Sequence, residues 1–397
     1  MKAMMESKVG SRAGADGRAR HVVEGNELVL LAEGEARLAA LLRLIETARV
    51  RLDLYFYIFA GDASGRQVLD ALIAARSRDV AVTLMVDAFG SATTPRAFFE
   101  PLTTAGVRFA WFGARRSTRY LIRNHQKMAI ADGQRALVGG FNCERLYFAA
   151  GTDPDGWCDL GLLVDGPLVQ ELQRWFDLLA QWTIASPQRF RRLRRMVRDW
   201  WPGAGDAVWL VGGPTRHLNG WTRRVKADLQ SGSRLDLVAA YFSPSRGMIR
   251  RINGIAQRGS ARLVTPARSD NKATIGAARH LYRRLLRAGV AIFEYRPQKL
   301  HMKLIVIDDI VYVGSANFDM RSLFINLELM LRIKDAGFAA EARALVDGLA
   351  AQSDAVDERA YAALSSPFAR LRWWIDYLLV GVLDYTVTRR LNFRRRR

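Results

Sequence analysis

Cysteine is nearly absent from this chain. Only Cys143 and Cys158 occur among 397 residues, which excludes a disulfide framework and the paired-thiol spacing of a zinc site. Two small thiols beside polar neighbours read as packing residues. Long apolar runs are also missing. No uncharged apolar stretch reaches the roughly 18 residues of a spanning helix. The polar first 25 residues hold no apolar segment of the signal-peptide kind, so the expectation is a chain facing the cytoplasm. Lysine is scarce too, eight residues against 52 arginines. What the chain has is apolar content, half of all residues, and a net charge of +21. The first excludes general disorder. The second suits an anionic polymer or an anionic membrane.

One pattern occurs twice. His125, Lys127 and Asp132 read H-x-K-x4-D, with Gly139, Gly140 and Asn142 after them; His301, Lys303 and Asp308 repeat it, followed by Gly314, Ser315 and Asn317. A lone histidine on an apolar strand is ordinarily a hydrogen-bonded core residue. Two in matching contexts imply two halves that meet, with two imidazoles and two ammonium groups around one phosphate. Strand spacing puts His301 and Lys303 on one face, with Ile305 and Ile307 below, and His125 and Lys127 likewise. Lysine at both positions of an arginine-dominated chain points to a need for compact charge. The glycines leave room for a ligand to approach the backbone. Asn142, Ser315 and Asn317 add short hydrogen-bonding groups. Asp132 and Asp308 complete the candidate catalytic set, but stand at strand ends before turns and read as mainly architectural.

The repeat is longer than the motif. Val50–Phe59 and Arg234–Phe242 both read as strands, as do Val80–Asp87 and Ala261–Pro266, then Gly106–Gly113 and Gly289–Tyr295. Helical patterns intervene: Val68, Leu69, Leu72 and Ile73 in one half, Met248, Ile249, Ile252 and Ile255 in the other. The expected fold class is α/β, two similar halves, each a mixed sheet flanked by helices, packed pseudo-symmetrically around one site. Five segments follow: a disordered tail over 1–25, a first half over 26–185, a basic amphipathic linker over 186–206, a second half over 207–346, and a helical, basic, membrane-associating tail over 347–397.

The linker carries Phe190, Leu193, Val197 and Trp200 at helical spacing, with arginines 191, 192, 194, 195 and 198 on the other face. Such a helix suits a membrane surface or a partner, or packs on the body with its arginines solvated. The tail sets Trp373, Trp374, Tyr377, Leu378 and Leu379 before Arg389, Arg390 and Arg394–Arg397, a combination that favours anionic lipid. Asp376 and Asp384 oppose spanning.

The doubled motif and its Gly/Ser/Asn trailer resemble the phospholipase D superfamily, from about Asn26 to Val346. More local features resemble its bacterial cardiolipin synthase branch: Tyr55–Phe59 with Asp62 and Gly65; Asp87, Gly90 and Ser91; Trp157, Asp159 and Gly166–Pro167; Tyr241, Phe242 and Pro244 before Ser269–Asp270; and Gly314–Ser322 leading into Asn326 and Glu328. The first copy departs from the second in having Gly140 where the second has Ser315, and in one extra residue before its first glycine. The spanning N-terminal helices of some cardiolipin synthases are lacking, which aligns the chain with shorter, peripheral forms. The resemblance implies a phosphatidyltransferase that moves a phosphatidyl group from phosphatidylglycerol to a second phospholipid headgroup through a phospho-histidine. His125 is then the expected nucleophile and His301 the acid/base, with Asp159 and Glu328 orienting the rings. Lys127, Lys303, Asn142 and Asn317 hold the phosphate oxygens. It implies no metal or other cofactor, an anionic phosphatidylglycerol membrane as partner, no nucleic acid, a functional monomer, and a peripheral place on the cytoplasmic face of the plasma membrane. Hydrolytic phospholipase D, a nuclease of the superfamily and an inactive lipid-binding scaffold are the alternatives.

Overall fold

The structure, a computed structural model, describes residues 12–13, 17–113, 122–185, 188–215 and 217–383. Two mixed sheets dominate it. The first runs from edge to edge through Arg12–Ala13, Ala19–Val23, Asn26–Leu31, Gly161–Asp165, Arg135–Gly139, Met128–Ala131, Arg51–Phe56, Ala81–Asp87 and Arg108–Phe112. The second runs through Ala207–Gly212, Glu328–Lys334, Ile310–Gly314, Lys303–Ile307, Arg234–Ala239, Ser260–Pro266, Ala291–Tyr295 and Ser353–Val356. From Asn26–Leu31 in one and Ala207–Gly212 in the other, seven strands correspond in the same spatial order. The repeat seen in sequence is thus a repeat of topology.

Within each half three strands run parallel, joined through helices, and the motif strand lies antiparallel beside the first of them. The inner parallel strands are mostly apolar and buried, with Asp53 and Asp236 enclosed among them, while the edge strand Arg108–Phe112 is only part-buried. The helices that follow Arg51–Phe56 and Arg234–Ala239 both begin on side-chain caps: Asp62 accepts from the Gly65 N–H and Ser245 from the Met248 N–H. Val68, Leu69 and Leu72 are buried under the first, and Met248, Ile249, Ile252 and Ile255 under the second.

Three apolar clusters hold the layers together. Two lie on the outer face of each sheet, beneath its own helices. The third is shared: Met128, Ile130 and Val138 of one sheet, Leu304, Val306 and Val313 of the other, and Trp175 and Phe176 of helix Leu168–Ile184 between them. A shared core is what keeps the two halves in one register. Tryptophan groups in it find partners: the Trp175 indole donates to Gln126 Oε1 at 3.0 Å and the Trp209 indole to the Leu168 carbonyl at 2.9 Å.

Three segment readings change. Residues 19–23, expected in a disordered tail, form a strand on Asn26–Leu31 across a turn with Glu24 and Gly25 at positive φ; His21 in it is buried and contacts Glu341 at 2.7 Å. Residues 1–11 and 14–16 of that tail lie outside the described residues. The basic linker contains the expected helix, Phe190–Asp199, but its Phe190, Leu193 and Val197 are buried in the shared core. Its apolar stripe faces the body rather than a bilayer. The boundary at 346 falls inside helix Ala336–Ala351, and Ser353–Val356 completes the second sheet, so the tail begins later than expected. Arg389, Arg390 and Arg394–Arg397 lie outside the described residues. Among the described residues no helix is long and apolar enough to cross a membrane.

Candidate active site

The site forms where the two motif strands begin. Lys303 opens strand Lys303–Ile307, and Lys127 immediately precedes Met128–Ala131; the histidines lie two residues upstream, in extended chain. Each upstream stretch is bound to the opposite half through its backbone. The His125 N–H donates to the Leu327 carbonyl, and the His301 N–H to the Cys158 carbonyl, both at 2.8 Å. Leu327 and Cys158 directly precede Glu328 and Asp159. The same stitches that fix each histidine therefore bring up a carboxylate from the other half.

The carboxylates cross over as a result. His301 Nδ1 contacts Asp159 Oδ2 at 2.7 Å, and His125 Nδ1 contacts Glu328 Oε2 at 3.3 Å and the Ser315 carbonyl at 3.1 Å. Each half holds the ring of the other. Around His125 both Nδ1 partners are acceptors, which favours a proton there and leaves Nε2 free; around His301 the Lys303 ammonium lies 2.7 Å from the same Nδ1 that meets Asp159. The two rings lie 6.4 Å apart between centroids, inclined at 66°.

The four motif bases are buried. Lys127 Nζ donates to the His125 carbonyl at 2.6 Å, and Lys303 Nζ donates to the His301 carbonyl. Burial, with help from Lys127, lowers the His125 imidazole to about 4 against the pull of Glu328. Burial and Lys303 lower His301 to about 3 against Asp159. Both rings are thus neutral at neutral pH. Burial lowers Lys303 to about 8, resisted by Asp159 and Glu328. Asp159 feels burial in the opposite sense, but Lys303, His301 and Arg37 outweigh it and hold the carboxyl below its ordinary range.

The trailer residues serve the half-sites unequally. Ser315 Oγ donates to Glu328 Oε2 at 2.5 Å and accepts from the Leu329 N–H at 3.1 Å, so it props the longer carboxylate. In the other half a Cβ at Gly140 would collide with Asp159 Oδ1 and come within 2.9 Å of Lys303 Cδ. Glycine there makes room for the shorter carboxylate to sit directly against its histidine. Asn142 Oδ1 accepts from the Ile58 N–H at 3.1 Å, which turns its amide N–H groups elsewhere. Asn317 is buried and its Oδ1 has no hydrogen-bond partner.

Asp132 and Asp308, counted in the catalytic set, do not touch the imidazoles. They lie at the opposite ends of their strands at left-handed φ of 54° and 47°. Asp132 accepts from the N–H groups of Arg49, Val50 and Arg51, and Asp308 from those of Ser233 and Arg234, tying each motif strand to the start of its neighbour.

Several supporting residues escaped the sequence reading. Arg37 is buried at 1% exposure and donates to the carbonyls of Ala32, Asp159 and Tyr147 at 2.5, 2.6 and 2.7 Å. It anchors the segment that carries Asp159. Gln126, between the motif His and Lys, donates to the Glu328 carbonyl at 3.1 Å while holding Trp175. Aromatic rings surround the imidazoles: Tyr57 stands 5.0 Å from the His125 ring, and Tyr147, Trp157 and Tyr241 stand 5.2, 5.3 and 6.2 Å from His301. Tyr57, Trp157 and Tyr241 lay inside recognised local features, but nothing in their spacing told site from core. No group of three or more His, Cys, Asp or Glu among the described residues is placed to hold a metal ion.

The chain has relatives among known proteins. The chain matches the family described as "Cardiolipin synthase, PLD-like domain" over residues 41–180 and 226–349. It is 29% identical over 360 residues to cardiolipin synthase B of Escherichia coli strain K12, covering 88% of this chain and 85% of that protein. It is 31% identical over 341 residues to cardiolipin synthase A of Pseudomonas aeruginosa, covering 83% of this chain and 68% of that protein. Among solved structures, phosphatidylserine synthase of Haemophilus influenzae superposes with a TM-score of 0.71 over 90% of this chain and 95% of its own, at 13% identity. Polyphosphate kinase from Porphyromonas gingivalis superposes at 0.58 over 90% of this chain and 53% of its own, also at 13% identity. At that identity both likenesses speak for the fold alone.

Proposed function

The chain belongs to the cardiolipin synthase, PLD-like domain family, and from that premise we propose that it transfers a phosphatidyl group from phosphatidylglycerol to the headgroup hydroxyl of a second phospholipid. It is an enzyme of the phosphatidyltransferase and phospholipase D type. The observation that carries the finer reading is the crossed pair of imidazole–carboxylate contacts with the two rings 6.4 Å apart.

His125 Nε2 attacks phosphorus, and the bond from phosphorus to the glycerol oxygen breaks. His301 Nε2 gives its proton to that oxygen. The phosphatidyl group then sits on His125, and glycerol leaves. The incoming hydroxyl gives its proton to His301 as its oxygen attacks phosphorus, and the His125 nitrogen departs. Lys127, Lys303, Asn142 and Asn317 hold the non-bridging oxygens throughout. The protein's own groups keep both imidazoles neutral, so His301 takes up a proton from solvent as the anionic phosphodiester binds, whose charge favours imidazolium. The short contact to Asp159 suits His301 to that charge. His125, whose Nδ1 faces a carbonyl as well as a carboxylate, suits the neutral nucleophile. The aromatic rings around the imidazoles keep water from the transfer step.

Both half-sites come from one chain, which supports a functional monomer. The basic charge and the lipid substrate together support a peripheral place on an anionic membrane, on its cytoplasmic face. The test is lipid mass spectrometry after incubating the protein with phosphatidylglycerol liposomes, without added nucleotide or metal. Cardiolipin is the expected product, lost in His125→Ala. Release of phosphatidic acid alone would make the enzyme a hydrolase.

A further inference from the structure

Helix Pro367–Tyr377 is apolar on two sides. Its inner side buries Trp373, which packs against Tyr361 at 5.9 Å between ring centroids. Its outer side shows Phe368, Leu371, Trp374 and Ile375, followed by Leu379 in the wider turn Leu378–Leu383, all between 43% and 77% exposed. With Leu364 they are six of the twelve exposed large hydrophobic residues of the described chain, gathered within sixteen positions. Positions 368, 371, 375 and 379 recur at helical spacing and form one stripe. Arg370 and Arg372 flank it on either side. Soluble monomers seldom leave such a contiguous apolar patch without a use for it.

A basic groove adjoins the stripe. Arg246, Arg250 and Arg284 line it with Ile249, His280, Leu281 and Tyr377, enclosing about 480 Å³. None of the three arginines forms an ion pair among the described residues. Other arginines of this half are paired with carboxylates: Arg262 and Arg343 with Asp236, Arg279 with Glu294, Arg332 with Asp228. His280 stacks on Tyr377, with centroids 5.0 Å apart and 27° between planes, and ties the groove to the helix. Asp376, the one acid in the helix, is turned inward: a side chain at Gly276 would collide with its carboxylate.

The stripe also leads to the site. A side chain at Gly381 would meet Ser243 Cβ at 3.4 Å. Ser243 lies in the short strand Phe242–Ser243, directly after Tyr241, whose ring faces His301.

We infer that this face docks the protein on an anionic phospholipid bilayer, with the stripe of helix Pro367–Tyr377 entering the acyl boundary and Arg246, Arg250 and Arg284 receiving lipid phosphates. The choice of a bilayer as occupant rests on the lipid reading of the site; the charge and the apolar stripe supply the complementarity. Docked in this way, the molecule presents the rim near Tyr241 to the lipid surface, where a phospholipid enters without leaving the membrane environment far behind.

The test uses the full chain and sedimentation with vesicles of phosphatidylcholine containing about 30% phosphatidylglycerol, or of phosphatidylcholine alone. At about one factor of five per basic residue, the triple variant Arg246→Gln, Arg250→Gln, Arg284→Gln is expected to lower partition onto the anionic vesicles about a hundredfold. Leu371→Ser with Trp374→Ser is expected to lower it at least tenfold. Thermal midpoints equal to wild type establish folding, and the single variants Arg250→Gln and Trp374→Ser replace any combination that fails there. Wild-type partition by both sets would overturn the inference, and so would release of the anionic vesicles by millimolar inorganic phosphate, which would assign the arginines to a soluble anion. Cardiolipin production is measured in the same vesicles. Binding without product leaves the docking face standing and removes the transferase reading; product with variants that bind like wild type does the reverse.

Discussion

The two halves share seven strands in one order, yet their half-sites are built differently. In one, Glu328 reaches His125 at 3.3 Å and is propped by Ser315 at 2.5 Å. In the other, Asp159 contacts His301 at 2.7 Å with no hydroxyl beside it, because Gly140 leaves the space and Arg37 anchors the chain from behind. One side is a longer arm with a prop, the other a shorter arm with a buried anchor. Duplication supplied the frame, and the frame's tolerance let the two rings acquire different partners. The proposed reaction, in which one imidazole attacks and the other shuttles protons, would use that inequality.

The largest expected effect separates the histidines. His125→Ala and His301→Ala should each lower transfer from phosphatidylglycerol by about a thousandfold or more. A phosphatidyl ester of p-nitrophenol, whose leaving group needs no proton, should restore the first step to His301→Ala and not to His125→Ala, read as the burst of nitrophenolate. Rescue of both variants, or of neither, would erase the distinction. The carboxylates come next. Asp159→Asn should lower kcat about a hundredfold and Glu328→Gln about tenfold, since the former leaves no second acceptor on its ring while the latter leaves the Ser315 carbonyl. Equal losses in a steady-state assay would show that the crossed contacts are interchangeable.

Smaller again is the exchange of the trailer residues. Ser315→Gly removes one hydrogen bond to Glu328 and should cost a fewfold in kcat. Gly140→Ser drives a Cβ into Asp159 and should cost more than its mirror change. The reverse ranking would mean the glycine has no steric purpose. Smallest is a stability effect. Burial places His125 and His301 at about 4 and 3, below the 6.5 of an unfolded imidazole. The unfolded chain binds more protons between those values, so stability falls as pH falls through that window. Denaturant midpoints between pH 7 and pH 5 should therefore drop less in His125→Asn, His301→Asn than in wild type.

Much of this was legible in the chain. Val50–Phe59, Val80–Asp87 and their counterparts announced strands because β-branched and aromatic residues run continuously there, and the structure has strands at all of them. The motif residues announced themselves through repetition. The crossing of carboxylates was not legible: Asp159 and His301 are 142 positions apart, Glu328 and His125 203, and local patterning carries no information on which half a side chain reaches into. Arg37 was hidden among 52 arginines, its burial decided by three carbonyls that only the fold brings together. The linker helix showed the opposite failing. Phe190, Leu193 and Val197 make a stripe that suits a membrane or a core equally, and only the shared cluster between the sheets decides for the core. In helix Pro367–Tyr377 the same kind of pattern stays exposed.

The most direct measurement is peptide mapping of the covalent intermediate, trapped by rapid acid-free denaturation after mixing with phosphatidylglycerol labelled at phosphorus. The unequal half-sites predict label on the peptide carrying His125, and none on it in His125→Ala. Label on the His301 peptide, or turnover with no labelled histidine at all, would contradict the account.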